Sequence, residues 1–115
     1  MKLSTFLVAG LILIALTAIV PFTVYDRIPD SVPTHWNLRG EVDGHTGKPW
    51  GVILGPLVMA VVLGVFVALP RLAPEGFRLE SLERPYFLLG LATILFLAIA
   101  TSFPVMHSLL SLIHI

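Results

Sequence analysis

Cysteine is absent from this 115-residue chain, so disulfides, thiolate zinc sites and palmitoylated thiols are all excluded. Charge is scarce as well, because only 12% of the residues are Asp, Glu, Lys or Arg, against about 25% in ordinary globular domains. The seven basic and seven acidic residues cancel, which excludes a nucleic-acid-binding protein with a basic surface. Hydrophobic residues make up 57% of the chain, and this composition excludes both a disordered protein and a small water-soluble enzyme.

The charged residues are also unevenly distributed. Three segments, residues 3–24, 51–69 and 86–106, contain none of them. About 20 apolar residues at a rise of about 1.5 Å each form a helix that crosses the roughly 30 Å hydrocarbon layer of a membrane. The sequence therefore predicts an all-α integral membrane fold in which residues 1–115 form a single membrane domain. Its three transmembrane helices are joined by a long ordered loop at 25–50 and a short loop at 70–85.

The basic residues predict the orientation of these helices. With a cytoplasmic N-terminus, four basic side chains lie inside and three lie outside, as the positive-inside rule requires. The inner ones are Lys2, Arg71, Arg78 and Arg84, and the outer ones are Arg27, Arg39 and Lys48. We expect a multi-pass protein with its N-terminus in the cytoplasm and its long loop outside.

Three features concern helix packing and helix ends. Ala60, Gly64 and Ala68 recur every four residues and form a smooth ridge that suits a further span or another copy of the chain. Pro104 is expected to kink or end the third helix. Beyond Met106 the sequence stays apolar without Lys or Arg, which predicts that the chain is a truncated piece of a larger multi-span protein.

The long loop has the most specific pattern of residues. Pro29 and Pro33 favour extended backbone in the residues that precede them. Gly40 and the Asp43-Gly44 dipeptide are turn signals, and Asp-Gly is a type that closes tight hairpins. These residues predict a short ordered cap on the membrane surface.

Alternation along this extended run predicts which side chains cover the helices. His35 and Asn37 are expected to point to one side, and Trp36 and Leu38 to the other. We expect Trp36 and Leu38 to pack on the helix ends, while the two polar side chains face inward or toward solvent.

The spacing of ten loop residues resembles the signature between the first two membrane helices of SdpI-type proteins. These residues are Pro29, Asp30, Pro33, His35, Trp36, Asn37, Gly40, Asp43, Gly44 and Lys48. The SdpI-type family comprises bacterial integral membrane immunity proteins, and the signature belongs to their N-terminal membrane domain of unknown function. The resemblance implies a non-enzymatic protein of the bacterial plasma membrane that confers immunity to a secreted antimicrobial peptide toxin or takes part in associated signalling. It implies a peptide toxin or a cytoplasmic regulator as partner, and all of these residues except Trp36 form the candidate functional motif.

Two interpretations of the loop need no resemblance. His35, Asn37, Asp43 and His45 carry nitrogen and oxygen atoms that suit a divalent metal ion, but their spacing matches no established zinc motif. A hydrogen-bonded network that holds the loop together explains the same side chains. The sequence therefore predicts no metal site and no cofactor.

Enzymatic function is a further alternative. His35 with Asp30 or Asp43 resembles a general base and its orienting acid, and Ser31 or Thr34 has the hydroxyl of a nucleophile. Neither a nucleophile elbow nor a glycine-rich phosphate loop accompanies them. We therefore predict no catalytic residues. The remaining alternatives are a membrane assembly subunit and, less favoured, a metal-dependent membrane enzyme.

Overall fold

Three long helices form where the sequence has its uncharged segments. The computed structural model describes residues 1–72 and 82–113, and in it α1 spans Leu3–Thr23, α2 spans Trp50–Leu72 and α3 spans Glu83–Ile113. Each is long and apolar enough to cross a membrane. Large apolar side chains such as Ile19, Val61 and Ile99 are exposed on their outer surfaces, as expected of helices surrounded by lipid.

The third helix differs most from the prediction. It begins at Glu83 with Pro85 in its first turn, where a missing N–H costs no intrahelical hydrogen bond. It continues through Pro104 to Ile113, so Pro104 does not end the helix, and a kink at Pro104 stays a prediction. Transmembrane helices tolerate proline when neighbouring groups pack against them, and Val105 is buried against other elements here. Most of the predicted short loop at 70–85 lies outside the described residues.

The helices are held together at one end by an aromatic and aliphatic core. Its buried members are Phe6, Met59, Leu63, Phe87 and Ile94, which come from all three helices. A Cβ atom at Gly90 would lie 2.9 Å from ring atoms of both Phe6 and Phe66, so glycine is what lets these rings approach α3. The hydroxyl of Tyr86 donates a hydrogen bond to the carbonyl of Phe66 at 2.6 Å. The start of α3 is thereby joined to the second half of α2.

The long loop is a β-hairpin, which corrects the all-α prediction. A short 3₁₀ turn at Tyr25–Arg27 leads into β1 (Ser31–Trp36), which pairs antiparallel with β2 (Val42–Gly47). The fold is therefore mainly helical with a small two-stranded sheet between α1 and α2.

A second apolar cluster attaches the hairpin to the helices. Ile28 and Val32 are buried against Val52 of α2 and Val105 of α3. Because Val32 lies early in β1, this cluster fixes the base of the hairpin. The cluster therefore holds the loop motif on the end of the helical bundle.

Candidate functional site

The turn of the hairpin is built by Asn37. Its side-chain Oδ1 accepts hydrogen bonds from the backbone N–H groups of Arg39 at 2.9 Å and Glu41 at 3.0 Å. Its carbonyl accepts the N–H of Gly40 at 3.0 Å, and its own N–H donates to the Glu41 carbonyl at 2.9 Å. Gly40 has a φ of +77°, which favours glycine. The turn predicted at Gly40 is thus confirmed, and Asn37 belongs to the turn rather than to a polar pair with His35.

The second predicted turn is wrong, because Asp43 and Gly44 lie inside β2. Pro33 pairs with His45, His35 with Gly44 and Trp36 with Val42. Thr34 on β1 and Asp43 on β2 therefore have no partner in this register and lie on either side of the His35–Gly44 pair. A Cβ atom at Gly44 would lie only 2.9 Å from the Cβ of His35. Gly44 is therefore required for close approach of the two strands. The Asp-Gly dipeptide indicated a turn because tight turns and close approach of two strands both favour glycine.

His35 and Asp43 form the central contact of the hairpin's outer surface. An extra residue in one strand changes the direction of neighbouring side chains. Beside these irregularities of the hairpin, Nδ1 of His35 hydrogen-bonds to Oδ1 of Asp43. A carboxylate only accepts hydrogen bonds, so Nδ1 is the donor and a neutral ring keeps Nε2 as an acceptor. The His35 side chain is 71% exposed and that of Asp43 is 43% exposed. The pair is therefore oriented by its own hydrogen bond and accessible to a ligand.

Trp36 packs in the opposite direction, as the alternation predicts. Its ring lies edge-on to Phe103 and His107 of α3, with centroids 5.4 and 5.7 Å away. Leu38 is fully exposed, so the prediction that it packs on the helix ends is wrong. The reason is that β1 ends at Trp36, and strand alternation does not continue into the turn.

Lys48, the residue after β2, bonds to the 3₁₀ turn that follows α1 and to the residue after that turn. Its Nζ donates hydrogen bonds of 2.7 Å to the carbonyls of both Tyr25 and Ile28, and it lies 4.2 Å from the centroid of the Tyr25 ring. Its backbone N–H donates to the carbonyl of Asp30 at 2.9 Å. The ammonium group of Lys48 therefore stabilises the hairpin through contacts within the chain.

The motif residues divide into two groups. Those that shape or anchor the hairpin are Asn37, Gly40, Gly44 and Lys48, with the half-buried Pro29 and Pro33 in the first part of the loop. Those with exposed side chains are His35, Asp43 and Asp30. The structure brings His35 and Asp43 together, whereas the carboxylate of Asp30 forms no hydrogen bond to His35 among the described residues.

The metal and enzyme interpretations gain little from this geometry. Across residues 1–72 and 82–113, no group of three or more His, Cys, Asp or Glu side chains is placed to hold a metal ion. The hydroxyl of Thr34 lies 2.9 Å from that of Thr46 and is paired with it rather than with His35. Ser31 lies at the far end of β1, opposite Gly47. What the arrangement offers chemically is an exposed imidazole that is oriented by a neighbouring carboxylate.

The accessible charge of the segment between α1 and α2 is negative. Four acidic residues there are exposed, namely Asp26, Asp30, Glu41 and Asp43, against two exposed basic residues, Arg27 and Arg39. The third base, Lys48, is half-buried and bonded to carbonyls. Acidic side chains therefore outnumber basic ones among the exposed charges, while the charge of Lys48 leaves the whole segment with only a small negative excess.

Sequence reasoning missed the part of α3 that supports the hairpin. Phe103 and His107 lie one turn apart and both contact Trp36. Nδ1 of His107 is buried without a hydrogen-bond partner among the described residues. A histidine within an otherwise apolar segment was the available signal, but nothing in the sequence links it to Trp36.

One protein-family model matches the part of the chain that contains the hairpin. Residues 12–60 match the model of a domain of unknown function, DUF1648. The matched segment contains the second half of α1, the whole hairpin and the first half of α2, and it ends before α3. No curated protein and no solved structure matches the chain. The chain is thus similar to this family across the segment that carries the His35–Asp43 pair.

Proposed function

We propose that this chain is a non-enzymatic, SdpI-like multi-pass protein of a bacterial plasma membrane whose hairpin binds a secreted antimicrobial peptide and so protects the cell. The observation that carries the proposal is the exposed, hydrogen-bonded His35–Asp43 pair on a hairpin that is fixed to the helices. Signalling to a cytoplasmic regulator is a further consequence that the family resemblance suggests.

The charge of the hairpin segment supports a cationic peptide as the ligand. Antimicrobial peptides that act on membranes are commonly amphipathic helices rich in Lys and Arg. The four exposed carboxylates between α1 and α2 complement such a charge, and a neutral His35 ring accepts a hydrogen bond at Nε2 from an ammonium or amide group. Charge attraction then raises the rate of encounter, while the oriented pair provides a specific contact.

Rigidity of the hairpin supports binding as its role. Lys48 bonds to the segment that precedes β1, and Trp36 packs on Phe103 of α3, so the hairpin is held at two separate points. A ligand that binds a surface already fixed in place loses less free energy to ordering. A loop that only connected two helices would need none of these contacts.

The orientation is testable because the chain contains no cysteine. Leu38→Cys places a unique thiol on the exposed turn, and Arg84→Cys places one at the start of α3. In intact cells a membrane-impermeant maleimide should label Leu38→Cys and leave Arg84→Cys unlabelled. The reverse pattern would place the hairpin in the cytoplasm and remove its access to a secreted peptide.

The function is tested by replacing His35 or Asp43 with alanine. Both variants should insert normally, because the apolar helices determine insertion, and both should lose protection of cells challenged with a cationic membrane-active peptide. His45→Ala is the matched control, since His45 is an exposed histidine of the same hairpin that does not bond to Asp43. It should retain protection.

Three outcomes would contradict the proposal. If His35→Ala and Asp43→Ala protect as well as the parent chain, the hairpin is a cap and the chain is better described as a membrane assembly subunit. If neither variant accumulates in the membrane, the pair is structural. If added zinc restores protection to either variant, the metal interpretation replaces peptide binding.

A further inference from the structure

A groove between α1 and α2 lies at the end of the bundle opposite the hairpin. It has a volume of about 530 Å³, within the range of small-molecule sites. Its walls include the apolar side chains of Leu7, Leu11 and Ile14 from α1 and the small residues Ala60, Gly64 and Ala68 from α2. The groove is therefore apolar along most of its length.

The small residues of α2 form an open floor rather than a helix contact. A Cβ atom at Gly64 would meet nothing within 4 Å, whereas one at Gly10 would lie 2.9 Å from Leu63. Ala60 and Ala68 are exposed like Gly64. The ridge predicted from the sequence is thus not covered by α1 or α3, and its surface is accessible from the surrounding lipid.

Arg71 lies at the mouth of the groove. It belongs to the last turn of α2, and its exposed side chain lines the groove. Among residues 1–72 and 82–113, no carboxylate forms an ion pair with it. The stretch from Ala60 to Arg71 covers about 16 Å of helix, close to half of the roughly 30 Å hydrocarbon layer. The groove therefore has the length of one leaflet and a cation at the level of the headgroups.

A second groove, between α1 and α3, shows what distinguishes the first. It has a similar volume of about 510 Å³ and is lined by residues such as Leu13, Val20 and Met106. None of its described lining residues is charged. Of these two grooves, only the one between α1 and α2 has a charged residue among its described lining residues, and charge complementarity therefore favours an anionic occupant there.

We propose that the groove between α1 and α2 binds one anionic glycerophospholipid, with an acyl chain over Gly64 and the phosphate on Arg71. The proposal is independent of peptide binding by the hairpin, because the two sites lie at opposite ends of the bundle. It assigns a ligand to the Ala60–Gly64–Ala68 ridge, which the proposed function does not use.

Native mass spectrometry of the full chain in a neutral detergent tests the headgroup contact. Titration with phosphatidylglycerol and phosphatidylcholine should show about fivefold tighter binding of the anionic lipid, since one Arg contributes about 1 kcal/mol near an anionic surface. Arg71→Gln should remove this preference and Arg71→Lys should retain it. Arg84→Gln, which removes an exposed charge near the start of α3, should leave it unchanged. Equal loss in Arg71→Gln and Arg84→Gln would overturn the proposal, because it would indicate general surface charge.

Filling the groove tests the acyl-chain contact. Gly64→Leu introduces a side chain into open space, so the helices should stay packed while binding of both lipids weakens at least fivefold. Ala92→Leu, on an exposed position of α3 outside the groove, is the control and should bind lipid normally. Unchanged lipid binding in a folded Gly64→Leu variant would overturn the proposal. Competition by glycerol phosphate that is as strong as competition by the intact lipid would also overturn it. The same holds if the chain forms a dimer that dissociates in Gly64→Leu while the lipid preference stays unchanged.

Discussion

Replacing Lys48 with methionine should loosen the hairpin without disturbing the three helices. Methionine keeps an unbranched apolar stem but removes the ammonium group that bonds to the carbonyls of Tyr25 and Ile28. The Tyr25 carbonyl still accepts the N–H of Ile28 at 3.1 Å. The Ile28 carbonyl loses its charged donor, and Ile28 is a buried residue. The loss therefore falls mainly on one carbonyl at the base of the hairpin.

The expected magnitude follows from these contacts. A hydrogen bond to a charged group contributes about 1.5–3 kcal/mol, and the cation–π contact of Lys48 with Tyr25 adds about 0.5–1 kcal/mol. Loss of both contacts therefore lowers the free energy of hairpin opening by about 2–4 kcal/mol. When hydrogen exchange reports the opening equilibrium, a decrease of about 3 kcal/mol in the free energy of opening makes the hairpin amides exchange roughly 100-fold faster.

Hydrogen exchange measured by mass spectrometry in lipid nanodiscs checks this prediction. Peptides that cover β1 and β2 should lose protection in Lys48→Met, while peptides from α1 and α2 keep theirs. Arg39→Met is the matched control, because Arg39 is an exposed cation on the same hairpin. If Lys48→Met exchanges no faster than Arg39→Met, the two carbonyl bonds do not hold the hairpin and the argument fails.

Three further substitutions test the packing of individual residues. Gly44→Ala should cost the hairpin about 1–3 kcal/mol, because its Cβ would lie 2.9 Å from that of His35, and hairpin amide exchange at wild-type rates would contradict this. Gly55→Val should lower the thermal unfolding temperature in detergent, since a Cβ there would lie 2.7 Å from the Cβ and Oγ1 of Thr101, and an unchanged temperature would show that α2 and α3 separate easily. Asn37→Ala removes the acceptor of two turn amides and should speed their exchange roughly tenfold, at about 0.5–1.5 kcal/mol for each bond, with the helices as an internal reference.

Local patterns predicted the helices and part of the hairpin. The uncharged segments predicted all three helices, because a helix that lies in lipid needs apolar side chains along its whole length. Gly40 marked a turn, because a positive φ there disfavours other residues. Trp36 was placed on the correct face by alternation, since the strand is regular up to that residue.

Contacts between distant residues could not be predicted in the same way. Lys48 bonds to carbonyls 20 and 23 residues earlier, and no local pattern specifies which carbonyls a lysine will reach. The hydrogen bond between His35 and Asp43 was one of several pairings that the sequence left open. It depends on the strand register and on the two extra residues beside the His35–Gly44 pair. Register is a property of the paired strands, which neither strand alone determines.

The contact between Trp36 and α3 imposes an order on the assembly of the protein. Trp36 is synthesised 67 residues before Phe103, so the hairpin emerges from the ribosome well ahead of the helix that completes its packing. Until α3 is in place, Val32 lacks Val105 and the Trp36 ring has neither of its α3 neighbours. A chain whose third helix failed to insert would therefore display an unsupported hairpin with apolar side chains uncovered, which a quality-control protease can distinguish from the finished protein.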